Sequence, residues 1–166
     1  MELRALTSAD AENFRTLRFQ GLIDEPTAFG SSPSEERPIE AGRAALEDQE
    51  NLVITGAFDA GELVGAVGLV RESGQKYAHR AVVWGMYVKP TQRGLGLGKQ
   101  LIEAAIRAAQ AMPRVEALTL RVNANNRAAI ALYAGAGFVE YGHDIGAMRV
   151  NGDDYDEHLM RLTLNN

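Results

Sequence analysis

The sequence predicts an α/β fold of the α+β kind, with a mixed sheet covered by helices on both faces. Three observations carry that prediction. Three β-patterned runs, 52–59, 62–72 and 77–89, follow one another with only turn signals between them, as in an antiparallel meander. An amphipathic helical pattern then separates this meander from a further strand-like run, so one connection has to cross over the sheet. Last, 166 residues with 46% hydrophobic and 23% charged side chains suffice for one core, and no linker-like stretch divides residues 1–166. A single domain is expected.

Taken in order, Glu2–Leu6 alternates as a short strand. Thr7, Ser8 and Asp10 supply capping oxygens before a helix carrying Phe14, Leu17 and Leu22 at near-helical spacing. After the turn residues Asp24-Glu25-Pro26 and Gly30-Ser31-Ser32-Pro33, a second helix is expected from Ser34 to Gln49, with Pro38 tolerated in its first turns. Leu52–Asp59 and Glu62–Glu72 flank Asp59-Ala60-Gly61, a hairpin turn, and Tyr77–Lys89 completes the meander. Pro90 ends that strand. The next helix presents Leu97, Leu101, Ile102, Ala105, Ile106 and Ala109 on one face and stops at Pro113. Val115–Asn123 reads as a strand, Asn126–Gly135 as a short Ala-rich helix, and Phe138 opens two last strands broken at Asn151-Gly152. The predicted order is β-α-α-β-β-β-α-β-α-β-β.

Composition narrows the function classes. No apolar run approaches the ~20 residues that span a bilayer, so no membrane protein is expected. Met1–Arg4 enters the strand pattern without the charged and apolar regions of a secretion signal, which points to the cytoplasm. The absence of cysteine excludes disulfides, thiolate metal sites and an acyl-enzyme thioester, so any thioester must arrive on a ligand. A formal net charge of −5 opposes general nucleic-acid binding; it suits a cationic substrate, and equally any soluble acidic enzyme. No His or carboxylate cluster shows metal-ligand spacing, so no metal is expected.

The most informative stretch is Thr91-Gln92-Arg93-Gly94-Leu95-Gly96-Leu97-Gly98-Lys99, between the strand Ala81–Val88 and the amphipathic helix. Its glycines let the backbone approach a ligand, and the unpaired N–H groups that open the helix, with its dipole, favour an anion. A nucleoside triphosphate loop would place Ser or Thr after Gly98-Lys99, where Gln100 stands. A dinucleotide fingerprint would sit by the first strand with Gly-x-Gly-x-x-Gly spacing. Neither fits.

Arg93-Gly94-Leu95-Gly96-Leu97-Gly98 resembles the acyl-coenzyme A loop of the GCN5-related N-acetyltransferase (GNAT) superfamily, and Met86-Tyr87-Val88-Lys89-Pro90 resembles the strand ending that precedes it. Val122-Asn123-Ala124-Asn125-Asn126, Ala129, Leu132-Tyr133 and Gly137-Phe138 resemble the second motif of that family at its proper distance. The resemblance is strongest over residues 51–142. It implies the GNAT acyl-CoA N-acyltransferase fold, with acetyl-CoA as cosubstrate. The implied reaction moves an acetyl group to a primary amine, small molecule or peptide, by direct attack in a ternary complex.

The resemblance also implies roles. The amides of Arg93, Gly94, Leu95, Gly96, Leu97, Gly98 and Lys99 would hold the pyrophosphate, and the backbone of Met86 to Val88 would pair with the pantetheine arm. Arg93 would add charge or serve as a loop cation, and Lys99 reads equally as an exposed helix residue. Tyr133 would be the general acid for the departing thiolate, since a phenol with an unperturbed pKa of ~10 keeps its proton at neutral pH, or a core aromatic at helical spacing from Ala129. Asn126 would contact the cofactor, cap the short helix, or both, and Asn123 would face the strand gap or the acceptor.

The general base is open. Many relatives carry a glutamate in the strand before the loop, but Tyr77–Met86 contains no carboxylate. A water relay is therefore expected, with His79 a base on that strand or a surface residue, and Glu35, Glu36 and Glu72 further candidates or a solvated face. Acceptor choice is expected to involve Phe29, Glu35 and Glu36, together with Asp153, Asp154, Tyr155, Asp156 and Glu157, an acidic group that would steer a cationic amine or form an ordinary polar turn. The family implies a homodimer as one possible state. The competing class is a non-catalytic acyl-CoA-binding sensor, which has no need of an acid at the thiol.

Overall fold

In the computed structural model, which describes residues 1–164, the strands form one seven-stranded sheet. They are β1 (Glu2–Ala5), β2 (Leu52–Asp59), β3 (Glu62–Arg71), β4 (Arg80–Val88), β5 (Ala117–Asn123), β6 (Val139–Val150) and β7 (Asp153–Thr163). The helices are α1 (Ala11–Asp24), α2 (Ile39–Glu47), α3 (Leu97–Ala111) and α4 (Arg127–Gly135). The element order is the predicted one. The sheet runs β1-β2-β3-β4-β5-β7-β6, antiparallel except at β4–β5, the two strands that α3 connects.

The helices divide the core in two. On one face α3 buries Leu97, Leu101, Ile102, Ala105 and Ala109 against Val67, Leu69, Leu118 and Leu120. On the other, Leu17 and Leu22 of α1 and Leu46 of α2 meet Ile54, Leu63 and Ala66. These side chains supply most of the driving force, at roughly 25 cal/mol per Å² of apolar area removed from water.

Two boundaries differ from the sequence reading by more than two residues. The expected helix from Ser34 to Gln49 is split into a single 3-10 turn, Pro33–Glu35, and α2 itself, which starts after Pro38. The ring of Pro38 drives Arg37 out of helical geometry, so the two segments cannot join. β4 likewise begins at Arg80, not Tyr77, because 74–79 forms turns closed by Tyr77 N–H to Gly74 O and Arg80 N–H to Tyr77 O.

A bulge alters the far edge. β6 pairs Glu140 with Met160 and Gly142 with Leu159, leaving Tyr141 as an extra residue. It brings Glu140, His143 and His158, which have no metal-ligand spacing in the sequence, within 4.8 Å of one another through one ligand atom each.

Candidate active site

The parallel pairing of β4 and β5 lasts three residues, Arg80 with Ala117, Ala81 with Leu118 and Val82 with Thr119. Beyond Val82 the strands separate and leave an edge of β4 without a strand partner among the described residues. A second bulge sits at the separation: Trp84 pairs with Gly68 and Tyr87 with Ala66, so Gly85 and Met86 both oppose Val67. Gly85 takes φ 61°, a conformation that a side chain would strain.

A cleft of about 710 Å³ occupies the gap. Its walls are β4 from Val83 to Val88, the end of β5, the face of α4 with Asn126, Ala129 and Tyr133, and the loop after α1 with Thr27 and Phe29. The glycine loop closes one end. Gly96 is the N-cap of α3 with φ 78°, and among the described residues no atom beyond its chain neighbours lies within 4 Å of the position a Cβ would take there. The first hydrogen bond of α3 runs from Gln100 N–H to Gly96 O, 3.2 Å. The amides of Leu97, Gly98 and Lys99 thus precede the helical ladder and are free for an anion. Gly98 permits close packing, since a Cβ there would lie 3.3 Å from Leu132 Cδ2.

Tyr133 lies on the wall, packed edge to face on Phe138 with ring centroids 6.0 Å apart. Its hydroxyl donates to Met86 Sδ at 3.5 Å, a weak acceptor. Burial pushes the phenol up to about 12, so it holds its proton even more firmly than the unperturbed value implies.

Asn123 is buried at the end of β5. Its Nδ2 donates to Thr27 O at 3.1 Å and its Oδ1 accepts Asn125 N–H at 2.8 Å, which ties the loop after α1 across the strand gap. Asn126 accepts Ala129 N–H at 3.1 Å and so caps α4. Tyr87 donates to Asp24 Oδ2 at 2.5 Å; burial and then this carboxylate push its phenol up to about 12. Arg93 donates to Val88 O at 3.0 Å and pairs with Glu25 at 2.8 Å, bracing the loop against the end of α1.

The cleft gathers Met86, Val88, Arg93, Gly94, Gly96, Leu97, Gly98, Lys99, Asn123, Asn126 and Tyr133 of the sequence-derived set. Leu95 instead points to solvent, 67% exposed, and Leu97 contributes backbone only because its side chain is in the core. His79 is not brought there. Its carbonyl accepts the amides of Glu116 and Ala117 at the closed end of the β4–β5 ladder, seven residues and roughly 23 Å along the strand from Met86. The acidic residues do not form a common mouth either. Glu35 bonds Ser32 N–H, while Glu36 pairs with Arg18, Glu72 with Arg80, Asp154 with Arg149 and Glu157 with Arg121. Asp156 pairs with His143, and of the late group only Tyr155 lines the cleft.

A splayed parallel pair, a glycine-opened helix at its mouth and a phenol on its wall match one known arrangement. The model of the Acetyltransferase (GNAT) family covers residues 19–138 of the chain. The chain belongs to the GNAT family. It is 30% identical to spermidine N(1)-acetyltransferase of Vibrio cholerae over 96 residues, which are 58% of this chain and 56% of that protein; the match thus spans about half the length of that relative. Among solved structures it is similar to the GNAT acetyltransferase of Streptococcus pneumoniae, at 25% identity, a TM-score of 0.87 and coverage of 98% of this chain and 99% of that one. It has the fold of the yncA protein of Salmonella typhimurium, solved with its cofactor acetyl-CoA, at 18% identity, a TM-score of 0.89 and coverage of 100% and 95%.

Sequence reasoning missed two features of this GNAT cleft. Gly85 inside a β-patterned run is a bulge signal that was available in Trp84-Gly85-Met86. Arg121, a charge within the apolar run Leu118–Val122, lines the cleft and pairs with Asp144 and Glu157.

Proposed function

We propose that the chain is an N-acetyltransferase that moves an acetyl group from acetyl-CoA to a primary amine in a ternary complex, without an acyl-enzyme. The observation that carries this reading is the Tyr133 hydroxyl on the wall of the strand gap, with only a thioether sulfur as partner among the described residues. A thiolate at that position is a far stronger acceptor than Met86 Sδ.

The residues present fit acetyl-CoA. The amides of Leu97, Gly98 and Lys99 hold the diphosphate, and the absent side chains at Gly94 and Gly96 leave it room. The unpaired edge of β4 from Met86 to Val88 binds the pantetheine amides as an added strand would. When bound, acetyl-CoA supplies an activated acetyl thioester. Donors of the β4 edge stabilise negative charge on its carbonyl oxygen, and Tyr133 donates a hydrogen bond to the departing sulfur. Water takes the proton of the amine, because the carboxylate that lines the cleft, Glu25, is held by Arg93. Likeness to the spermidine enzyme makes polyamines the first acceptors to test.

The test is a panel of polyamines, amino acids, aminoglycosides and peptides with acetyl-CoA, read by thiol release. Turnover on at least one amine, with acetylated product by mass, is the expected result. Stoichiometric acetyl-CoA binding with no turnover on any amine would instead identify a sensor.

A further inference from the structure

Two of the three histidines in the chain, His143 and His158, face each other across the β6–β7 ladder and do not line the cleft. Their rings meet edge to face, with centroids 4.9 Å apart and planes at 83°. On a regular strand Glu140 and His143, three residues apart, would point to opposite faces. The extra residue Tyr141 puts them on the same face. Glu140 Oε2 is 2.9 Å from His158 Nδ1, an atom that is buried and makes no aligned hydrogen bond.

Behind this trio, Asp156 lies 2.9 Å from His143 Nε2, and its other oxygen accepts Gly146 N–H at 2.9 Å. A carboxylate so fixed holds the Nε2–H tautomer of His143 and leaves the Nδ1 lone pair free. Metal-ligating imidazoles are oriented in this way.

We propose that Glu140, His143 and His158 bind one zinc ion, with water as the fourth ligand and Asp156 as the positioning residue behind His143. Two imidazole nitrogens and one carboxylate oxygen suit zinc, whereas magnesium and calcium demand mostly oxygen. Tetrahedral bonds of ~2.0–2.1 Å set ligand atoms about 3.4 Å apart, so the three side chains, now within 4.8 Å, need to rotate by only about 1 Å. Glu140 and His143 are 48% and 40% exposed at the side chain, which leaves an entry path. The ion would cross-link β6, the last strand of the sheet, to β7 and take no part in acetyl transfer.

The test titrates the whole protein with zinc against a chromophoric chelator, and with cobalt followed by visible absorption. The proteins are wild type, His143→Gln, His158→Gln, Asp156→Asn and, as control, His79→Gln, each checked for folding by circular dichroism. One equivalent should bind with micromolar or tighter affinity and raise Tm. His143→Gln and His158→Gln should lose about 100-fold or more, and Asp156→Asn about 10–100-fold through its positioning role. His79→Gln should bind as wild type, and excess magnesium should not compete. No stoichiometric binding to wild type, or wild-type affinity in His143→Gln, overturns the proposal. If His158→Gln fails to fold, His143→Gln, altered at an exposed side chain on an edge strand, decides alone.

Discussion

Replacing Tyr133 with Phe separates catalysis from packing. The ring stays against Phe138, and the hydroxyl gives up a single weak contact, to Met86 Sδ at 3.5 Å. Losing that contact costs less than about 1 kcal/mol, and removing a poorly paired buried hydroxyl recovers a similar amount. The net stability change should stay within about 1 kcal/mol, or about 2–4 °C in Tm for a chain of this size.

Turnover should respond differently. A positioned proton donor contributes about 10²–10⁴ in rate, equivalent to about 3–5 kcal/mol. With the phenol at about 12, full transfer to a thiolate of unperturbed pKa ~8.5 is uphill by about 5 kcal/mol. In the proposed mechanism Tyr133 would therefore act by donating a hydrogen bond as charge builds on sulfur. If the protonated phenol is the active form, it persists below about 12, and Tyr133 should impose no alkaline loss of kcat between pH 8 and 10. The assays are thiol release with the best amine for kcat, calorimetry for acetyl-CoA affinity and scanning fluorimetry for Tm. Turnover in Tyr133→Phe within threefold of wild type would refute the hydrogen-bond role at sulfur, and a large drop in Tm would refute the packing account.

Gly96→Ala meets no non-neighbouring atom of the described residues, so its cost is the φ of 78°, about 1–2 kcal/mol, with weaker acetyl-CoA binding; unchanged affinity by calorimetry would remove the loop from the cofactor site. Asn123→Ala leaves Thr27 O and Asn125 N–H without their partner, which should cost about 2–3 kcal/mol and raise KM for the amine more than for acetyl-CoA; equal KM effects would show that the tether does not shape the acceptor side. The Arg4 guanidinium, 2.7 Å away, together with Thr7 holds the carboxyl of Asp10 down at about 2. The folded state then binds fewer protons than the unfolded state, so this stabilisation is complete above about pH 4 and fades as pH falls through about 2. Screening at the 38% exposed Arg4 limits it to about 1–2 kcal/mol. Urea melts of wild type and Asp10→Asn should converge at low pH, and a constant gap would contradict the assignment.

Most of the fold was legible because its signals are local. Pro90, the glycine triplet and the apolar stripe of α3 each act through their own backbone or helix face, and all stand where expected. Pro38 was also legible, but its ring reaches back onto Arg37, and that steric effect splits the segment ahead of α2. The roles of the asparagines were only half visible. Asn126 caps its own helix, a local act, whereas Asn123 reaches Thr27, 96 residues away, and no spacing rule encodes that contact.

By itself, the sequence determined the element order, the glycine-opened α3 and the family, because hydrophobic period, turn chemistry and two motifs lie along the chain. Only the tertiary structure decided where those pieces meet. It ended the β4–β5 ladder at Val82, set the Tyr133 hydroxyl beside Met86 Sδ, kept His79 away and turned Glu140 toward two histidines. Each of these is a matter of register and splay between strands, and a one-residue bulge, which changes no residue type, is enough to move a side chain to the other face.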